Sequence, residues 1–553
     1  MSSIRITALG GLDENGKNLY CLEIDGKIII VNAGLKLPED NQYGVRYIVP
    51  DFGYLEANRD RILGVILTHA HDDMMNGLPQ LLVRINLPVY GPEMCRRVLK
   101  HILKPVDWDK LNYHVVDRNG EFTIGKFNVT TFALTHATPD AIGIAIETEN
   151  GQIVVAEQFV IDFDMHDKSF DSDIGTIAEI GKKGVLALLM ESSYAGNEFF
   201  TAPKHRVYNM IKPFFEEASG RIIVSVYNQN YFRIKEIINL AREYKRSLFF
   251  YDDRLRGRLK DMDELGYYSL PRSIEVTREK FSNDIEDIVI LITETGGRIF
   301  DIMNRIATGE DETIELRESD TVIIASPVVS GTEKRASAME NELYKDGVTV
   351  HKLDPKQVLS LHPSSEDMKM MLYLLKPKYF VPVMGEYRNF VQAANLALQV
   401  GFTPDRVIIL DNGQVATIEN GSLVSCSEMI EVGENAIGSH DDKSITSFVL
   451  KDRETLSTDG VIIIGVAVDY NTKEVIGGPD IQSRGVIYVK DSEYVLRNIG
   501  TMVVDLIKQK VAEGTYENLA ARAELREQVA RYVLRETGKR PMILPAIIEI
   551  NLK

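Results

Sequence analysis

The sequence predicts an α/β protein in three parts: a layered α/β host, a second βα domain inserted into it, and a small α+β domain at the end of the chain. Three observations lead there. The chain has 553 residues, 44% hydrophobic and 26% charged, an ordinary globular composition with length for more than one core. In its first segment, strand-length apolar runs stop at polar loops and give way to helical spacing, the texture of a layered domain with its chemistry at strand ends. That texture becomes more regular from about Ala202 and returns after about Val350, the order produced by one domain inserted in another.

In the first segment, Ile4–Leu9, Tyr20–Ile24 and Lys27–Asn32 read as strands, the last two joined by a hairpin at Asp25-Gly26. Val65–Thr68 reads as a buried strand and Gly77–Arg84 carries apolar residues at helical spacing. Phe127–Leu134, Ile142–Glu147 and Ile153–Ala156 are further strands. In the insertion, helices over Lys204–Ser219 and Phe232–Tyr244 alternate with strands over Arg221–Tyr227 and Leu248–Tyr251. Met368–Lys376, Tyr379–Val383 and Arg406–Leu410 then resume the style of the host. The polar stretch Glu434–Ser444 reads as a linker. Beyond it, Ser447–Leu450, Val461–Asp469, Gly485–Val489 and Met542–Ile550 read as strands, and Ile499–Lys510 and Tyr516–Glu536 as helices. The expected boundaries are therefore 1–203 and 353–433 for the host, 204–352 for the insertion, 434–446 for the linker and 447–553 for the last domain.

Lys and Arg number 63 against 81 Asp and Glu, a formal net charge of −18. This argues against a passive nucleic-acid coat, while a local basic groove on an acidic body stays open. Cys21, Cys95 and Cys426 are too scattered for a zinc ribbon or a disulfide framework, which points to a reducing compartment. The apolar runs are far short of a membrane span and the start of the chain lacks a signal-peptide pattern, so a cytoplasmic protein is expected.

The stretch that carries chemistry is Leu67-Thr68-His69-Ala70-His71-Asp72-Asp73-Met74. Two histidines flanking one residue at a strand end can converge on one metal, since neutral imidazole is a preferred zinc ligand. Asp73 can supply an oxygen ligand or orient a water. The alternative is a polar loop with two ordinary histidines.

This motif resembles the HxHxDH signature of the metallo-β-lactamase fold, an α/β/β/α sandwich. Other stretches narrow the resemblance to the ribonuclease J family. Gly10-Gly11, Glu14-Asn15-Gly16-Lys17-Asn18, Asn32-Ala33-Gly34 and Pro38-Glu39-Asp40 resemble its opening loops. Lys376-Pro377-Lys378-Tyr379-Phe380-Val381-Pro382-Val383-Met384-Gly385-Glu386-Tyr387-Arg388 resembles a motif highly specific to it. Ser326-Pro327 with Gly331-Thr332-Glu333-Lys334 resembles its inserted β-CASP domain. Gly478-Pro479-Asp480-Ile481, Ser483-Arg484-Gly485 and Arg540-Pro541-Met542-Ile543-Leu544-Pro545 resemble its C-terminal domain. The resemblance covers the whole chain. It implies a bacterial cytoplasmic ribonuclease with 5′-to-3′ exonuclease and endonuclease activity, two metal ions, and assembly through the C-terminal domain.

The departures bear on that expectation, and they resemble those of the degenerate second paralogue that some bacteria carry. The family's last motif histidine is Met74, the bridging aspartate of its Gly-Asp-Phe motif is Gln158, and a further motif histidine is Met384. The aspartate usual before Ala-Gly is Asn32. The resemblance leaves His69, His71 and His136 for a first metal and only Asp73 for a second. Two divalent ions about 3.5–4 Å apart bring four positive charges together. Gln158 has a neutral amide oxygen, and the thioethers of Met74 and Met384 suit soft ions better than zinc or manganese. A dinuclear site is therefore not expected. One zinc or manganese ion at the three histidines stays open, beside a remnant filled by water or hydrogen bonds; the methionines are read as space fillers.

For RNA, the family's Ser-Gly-His-Gly loop becomes Ser360-Leu361-His362-Pro363, in which Leu361 and Pro363 hinder close backbone approach to a phosphate. Arg298, in Thr293-Glu294-Thr295-Gly296-Gly297-Arg298, is a phosphate contact or a surface ion pair. Arg254, in the basic run Arg254–Lys260, tracks RNA or solvates a helix; so does Lys204-His205-Arg206. The aromatics of Tyr227–Phe232 stack on bases or pack in a core, the second preferred for Phe232. The expected partners are RNA, an intact ribonuclease J paralogue in a hetero-oligomer, and a second copy through the C-terminal domain, with no membrane. Three activities compete: an inactive or barely active assembly subunit; a slow one-metal nuclease with Asp73 as base or water orienter and residual help from His362; and, distantly, a thioester or lactam hydrolase, which the insertion and terminal domain disfavour.

Overall fold

A computed structural model describes residues 2–38, 44–103, 110–270, 272–329, 331–438, 444–486 and 493–551. It divides into two units, Met1–Leu37 with Tyr47–Asn435, and Pro38–Arg46 with Ala436–Lys553.

Two sheets face each other in the host. The first runs Ser422–Met429, Gln414–Glu419, Ser3–Gly10, Leu19–Ile24, Lys27–Val31, Ile62–Ile66, Val89–Gly91, Tyr113–Val115. The second runs Tyr379–Val383, Val185–Glu191, Gly151–Ala156, Ile142–Thr148, Phe127–Ala133, Gly120–Ile124. Alternate residues decide the layering. Ile4, Leu22 and Ile29 of the first sheet share one core with Ile144, Val155 and Leu189 of the second. The opposite face of the second sheet (Phe132, Ala145, Val154, Leu188) packs on helices Ile174–Lys183, Ser365–Leu375 and Tyr387–Gln399. This is the outer layer of the expected sandwich. The sheet runs on into residues that follow the insertion: Tyr379–Val383 pairs in parallel with Val185–Glu191.

The insertion is a parallel sheet ordered Glu275–Val276, Ser247–Phe250, Ile288–Glu294, Ile222–Tyr227, Thr321–Ile324, Thr349–Lys352. It is tied to the host by backbone: Phe232 N–H donates to Ala137 O at 3.1 Å and Leu359 N–H to Lys204 O at 3.0 Å. In the second unit, Val461–Asp469 lies between Val475–Arg484 and Met542–Ile550. Ile462, Ile464, Val466 and Val468, every second residue, pack on Ile499, Val503, Leu525 and Val529 of two long helices.

Several elements differ from the sequence reading. The strand expected over Val65–Thr68 spans Ile62–Ile66, because Thr68 N–H donates to the Asn32 side chain instead of a strand neighbour. The helix expected from Lys204 begins at Tyr208, where the Glu236 carboxylate accepts the N–H groups of Val207 and Tyr208. Arg406–Leu410 is no strand; it contributes one bridge, Val407 to Phe380. The linker holds two short paired strands, Glu434–Gly438 and Ser444–Ile445. Ser447–Leu450 opens the helix Ser447–Thr458, its start capped by the Thr446 hydroxyl on Val449 N–H. The strand Val475–Arg484 escaped notice because Gly477, Gly478 and Pro479 interrupt its apolar alternation; pairing with Val461–Asp469 supplies what propensity lacks. Of the strand expected over Gly485–Val489, Gly485 and Val486 lie outside any strand, and 487–489 lie outside the described residues, as do Glu39 and Asp40. Among the described residues no helix is long and apolar enough to cross a membrane.

Candidate functional site

The loops that follow the carboxyl ends of the host strands meet in one cleft. Asn32 follows Lys27–Val31, the His69–Asp73 loop follows Ile62–Ile66, His136 follows Phe127–Ala133 and Gln158 follows Gly151–Ala156. Glu191 ends its strand and Met384 follows Tyr379–Val383. His362 arrives on the segment that returns from the insertion.

The histidine loop is strapped from behind. Asn18 N–H donates to Asp73 O at 3.1 Å, Ala33 N–H to Met74 O at 2.7 Å and Leu35 N–H to Asp72 O at 3.0 Å. Gly34 makes this approach possible, since a Cβ there would stand 1.6 Å from Asp73 O.

Three imidazoles converge. One ring nitrogen from each of His69, His71 and His136 falls within 4.8 Å of the others. Their surroundings fix each ring. His69 Nδ1 lies 3.0 Å from the Thr68 hydroxyl, and His136 Nδ1 donates to Leu361 O at 3.2 Å. Burial holds all three below the ordinary imidazole range, so the rings are neutral at pH 7. The Gln158 amide stands among them. Its Oε1 is 2.9 Å from His69 Nε2 and 2.7 Å from His71 Nδ1, while its Nε2 donates to Asp73 Oδ2 at 2.8 Å. Asp73 also receives the Asn18 amide at 3.3 Å. Burial raises the Asp73 carboxyl above its usual range.

Behind this centre lies a buried acid that the sequence reading missed. Glu157 accepts the Asn32 amide at 2.6 Å, and Asn32 Nδ2 also touches Met74 Sδ at 3.3 Å. Burial, then the charges of Glu191 and Asp73, push the Glu157 carboxyl up to about 8, so it is largely protonated at neutral pH. Met74 and Met384 are buried in the apolar core between the sheets, in agreement with their reading as space fillers.

The other wall carries a charge pair. His362 Nδ1 donates to Glu191 Oε1 at 2.7 Å, and its ring stacks on Tyr194 with centroids 4.8 Å apart. Burial alone would lower the His362 pKa; the Glu191 carboxylate outweighs it and holds it above the ordinary value. Glu191 had a sequence signal, an acid closing the apolar strand Val185–Glu191. In the same loop, His362 N–H is taken by Ser360 O at 2.9 Å and Pro363 has none to offer.

The remaining predicted contacts lie on the insertion and are not brought to the three histidines. Arg254 is held by Asp252 at 3.0 Å and by Glu294 at 2.7 Å. Arg298 is exposed at the start of helix Arg298–Ala307. Arg206 and His205 both meet Asp162, Arg206 through two nitrogens. Phe232 packs between Phe170 and His205, each at 5.4 Å, and Tyr231 is buried, so both belong to the core.

As ligands, three neutral imidazoles beside one carboxylate match a single zinc-type ion once the Gln158 oxygen moves aside. When bound, such an ion would supply Lewis acidity and an acidified water. For a second ion, the Gln158 amide and the thioethers of Met74 and Met384, the last two sunk in apolar core, are poor donors.

Comparison with known proteins agrees with this architecture. Residues 31–156 match a beta-lactamase superfamily domain, 219–343 the beta-CASP domain of ribonuclease J, and 448–550 the ribonuclease J C-terminal domain. Proteins named ribonuclease J 2 from Staphylococcus epidermidis and Staphylococcus aureus are 30% identical over 549 residues, covering 99% of this chain and 98% of theirs. A solved structure of a protein of unknown function from Enterococcus faecalis V583 shares the fold at TM-score 0.50 and 15% identity, over 75% of this chain and all of that one. With the three-histidine cleft at the strand ends and all three domain types in order, the chain belongs to the ribonuclease J family.

Proposed function

We propose that this chain serves RNA decay and processing chiefly as an assembly or RNA-positioning subunit of a catalytically intact ribonuclease J paralogue. It would work in the cytoplasm, with a self-contact through the C-terminal domain. The observation that carries the reading is the charge state of the cleft. Among the described residues, Asp73 is the carboxylate bonded to the amide at the three histidines, and that neutral amide lies where a bridging acid would be needed. RNA would pass the cleft along Ser360 and His362 and reach Arg298 on the insertion, with little from Arg254, which Asp252 and Glu294 already hold. The test is purified protein on 5′-monophosphorylated RNA with Mn²⁺ or Zn²⁺, alone and mixed with an intact paralogue. Co-elution of the two with negligible turnover by this chain supports the reading; turnover near that of an intact enzyme refutes it.

A second reading, a slow nuclease on one ion, is favoured by the convergence of His69, His71 and His136. Asp73 would orient the water and His362 would face the phosphate. It predicts that His71→Ala abolishes whatever cleavage is measured. Cleavage unchanged by that substitution ends it.

A further inference from the structure

We infer that the Gln158 side chain is the resident occupant of the three-histidine centre, a built-in competitor that keeps divalent ions out. The inference rests on the reading of a degenerate site and goes past it. A merely poor ligand would leave the centre weak; an occupant actively closes it.

One amide engages both ligand classes. Its oxygen accepts from His69 Nε2 at 2.9 Å and His71 Nδ1 at 2.7 Å, and its nitrogen donates to Asp73 Oδ2 at 2.8 Å. Asp73 sets the direction, because a reversed amide would press its oxygen against a carboxylate oxygen. The direction fixes the tautomers. To donate, His69 and His71 must carry their protons on the inward nitrogens, the atoms an ion would need as lone pairs. The other nitrogen of His69 faces the Thr68 hydroxyl at 3.0 Å, whose single proton is shared between it and Asn32 Oδ1 at 3.1 Å. The other nitrogen of His71, Nε2, is buried with no hydrogen-bond partner among the described residues, a loss accepted on the far side of the ring to keep the inward bond. His136 is arranged the opposite way. Its Nδ1 donates to Leu361 O, and its Nε2 lone pair faces the centre 3.4 Å from His71 Nδ1. Of the three inward nitrogens, one is ready to bind an ion and two are capped by the same oxygen.

The backbone holds the amide in place. Gln158 has φ of 45°, a left-handed conformation uncommon for its residue type, which keeps its side chain over the cleft.

The test is calorimetric titration of the full-length protein with Zn²⁺ and Mn²⁺, and elemental analysis after dialysis. Gln158→Ala removes the amide and adds no ligand, yet ion affinity is expected to rise by about tenfold or more with one ion per chain. Gln158→Met, similar in volume and unable to hydrogen-bond through nitrogen, gives the same rise if the alanine variant folds poorly. Adding His136→Ala removes the gain, which locates the ion. Variants that bind no more tightly than the parent, or a parent that retains one ion per chain after dialysis, overturn the inference. Neither readout uses RNA cleavage, so a failure here is separate from a failure of the nuclease assay above.

Discussion

The two walls of the cleft handle charge in opposite ways. On one, Asn32, Gln158, Met74 and Met384 stand where the family resemblance implies two acids and two histidines, and what remains is neutral rings bridged by a neutral amide. On the other, the half-buried His362 keeps its hydrogen bond to the fully buried Glu191 carboxylate, which raises the His362 pKa. The difference follows from the energetics of burial. A buried charge is tolerated while its partner is present; once an ion is no longer held, acids clustered without it repel each other and resist ionisation. Glu157 shows the residue of that problem, an acid caught between Glu191 and Asp73.

The contrast can be broken by substitutions of decreasing effect. The largest expected is His362→Ala, which strands Glu191 in the interior. It should destabilise the host by about 3–5 kcal/mol in denaturant unfolding, and adding Glu191→Gln should recover part of that. A loss below about 1 kcal/mol would mean the wall is not held by its pair. The pair also has a pH signature. Since folding raises the His362 pKa, its stabilisation is complete below the ordinary histidine value and fades as pH rises through the raised one.

Gln158→Leu should come next, with a loss of about 2–3 kcal/mol for three hydrogen bonds whose buried partners stay unsatisfied. Glu157→Gln should go the other way. With the folded carboxyl near 8, stability falls as pH climbs from the ordinary carboxylate range toward that value. The amide removes this slope, so melting curves should show a gain at pH 9 that is absent at pH 4. The smallest effects lie on the insertion. Arg254→Ala should cost under about 1 kcal/mol and hardly change single-stranded RNA affinity, because Asp252 and Glu294 already neutralise it. Arg298→Ala should lower the salt slope of RNA binding by about 1, as expected for an arginine that meets a phosphate. Equal effects would mean that pairing does not decide which arginines reach RNA.

Much of the site was legible because its residues are strand-end neighbours with distinctive chemistry. His69, His71 and Asp73 were marked by type and spacing and His136 by the family resemblance, and the burial of Met74 and Met384 agrees with their reading as fillers. The left-handed φ values of Asn32 (61°), Gln158 (45°) and Met384 (56°) were not legible. Asp, Asn and His adopt that conformation more readily than Gln or Met, so at Gln158 and Met384 the loops keep a shape better suited to the residues that the family resemblance implies there. Local propensity misled at Ser447–Leu450 and at Val475–Arg484, where a cap and a strand partner decide the outcome.

The sequence by itself determined which donor types the cleft contains and how little negative charge they carry, since side-chain charge and ligand softness travel with residue type. Only the tertiary structure decided what those donors do instead. Gln158 reaches His69, His71 and Asp73, and Glu191 reaches His362, across separations of 85 to 171 residues. Hydrogen bonds act over about 3 Å, so their pairing exists only where folding has brought the loops together.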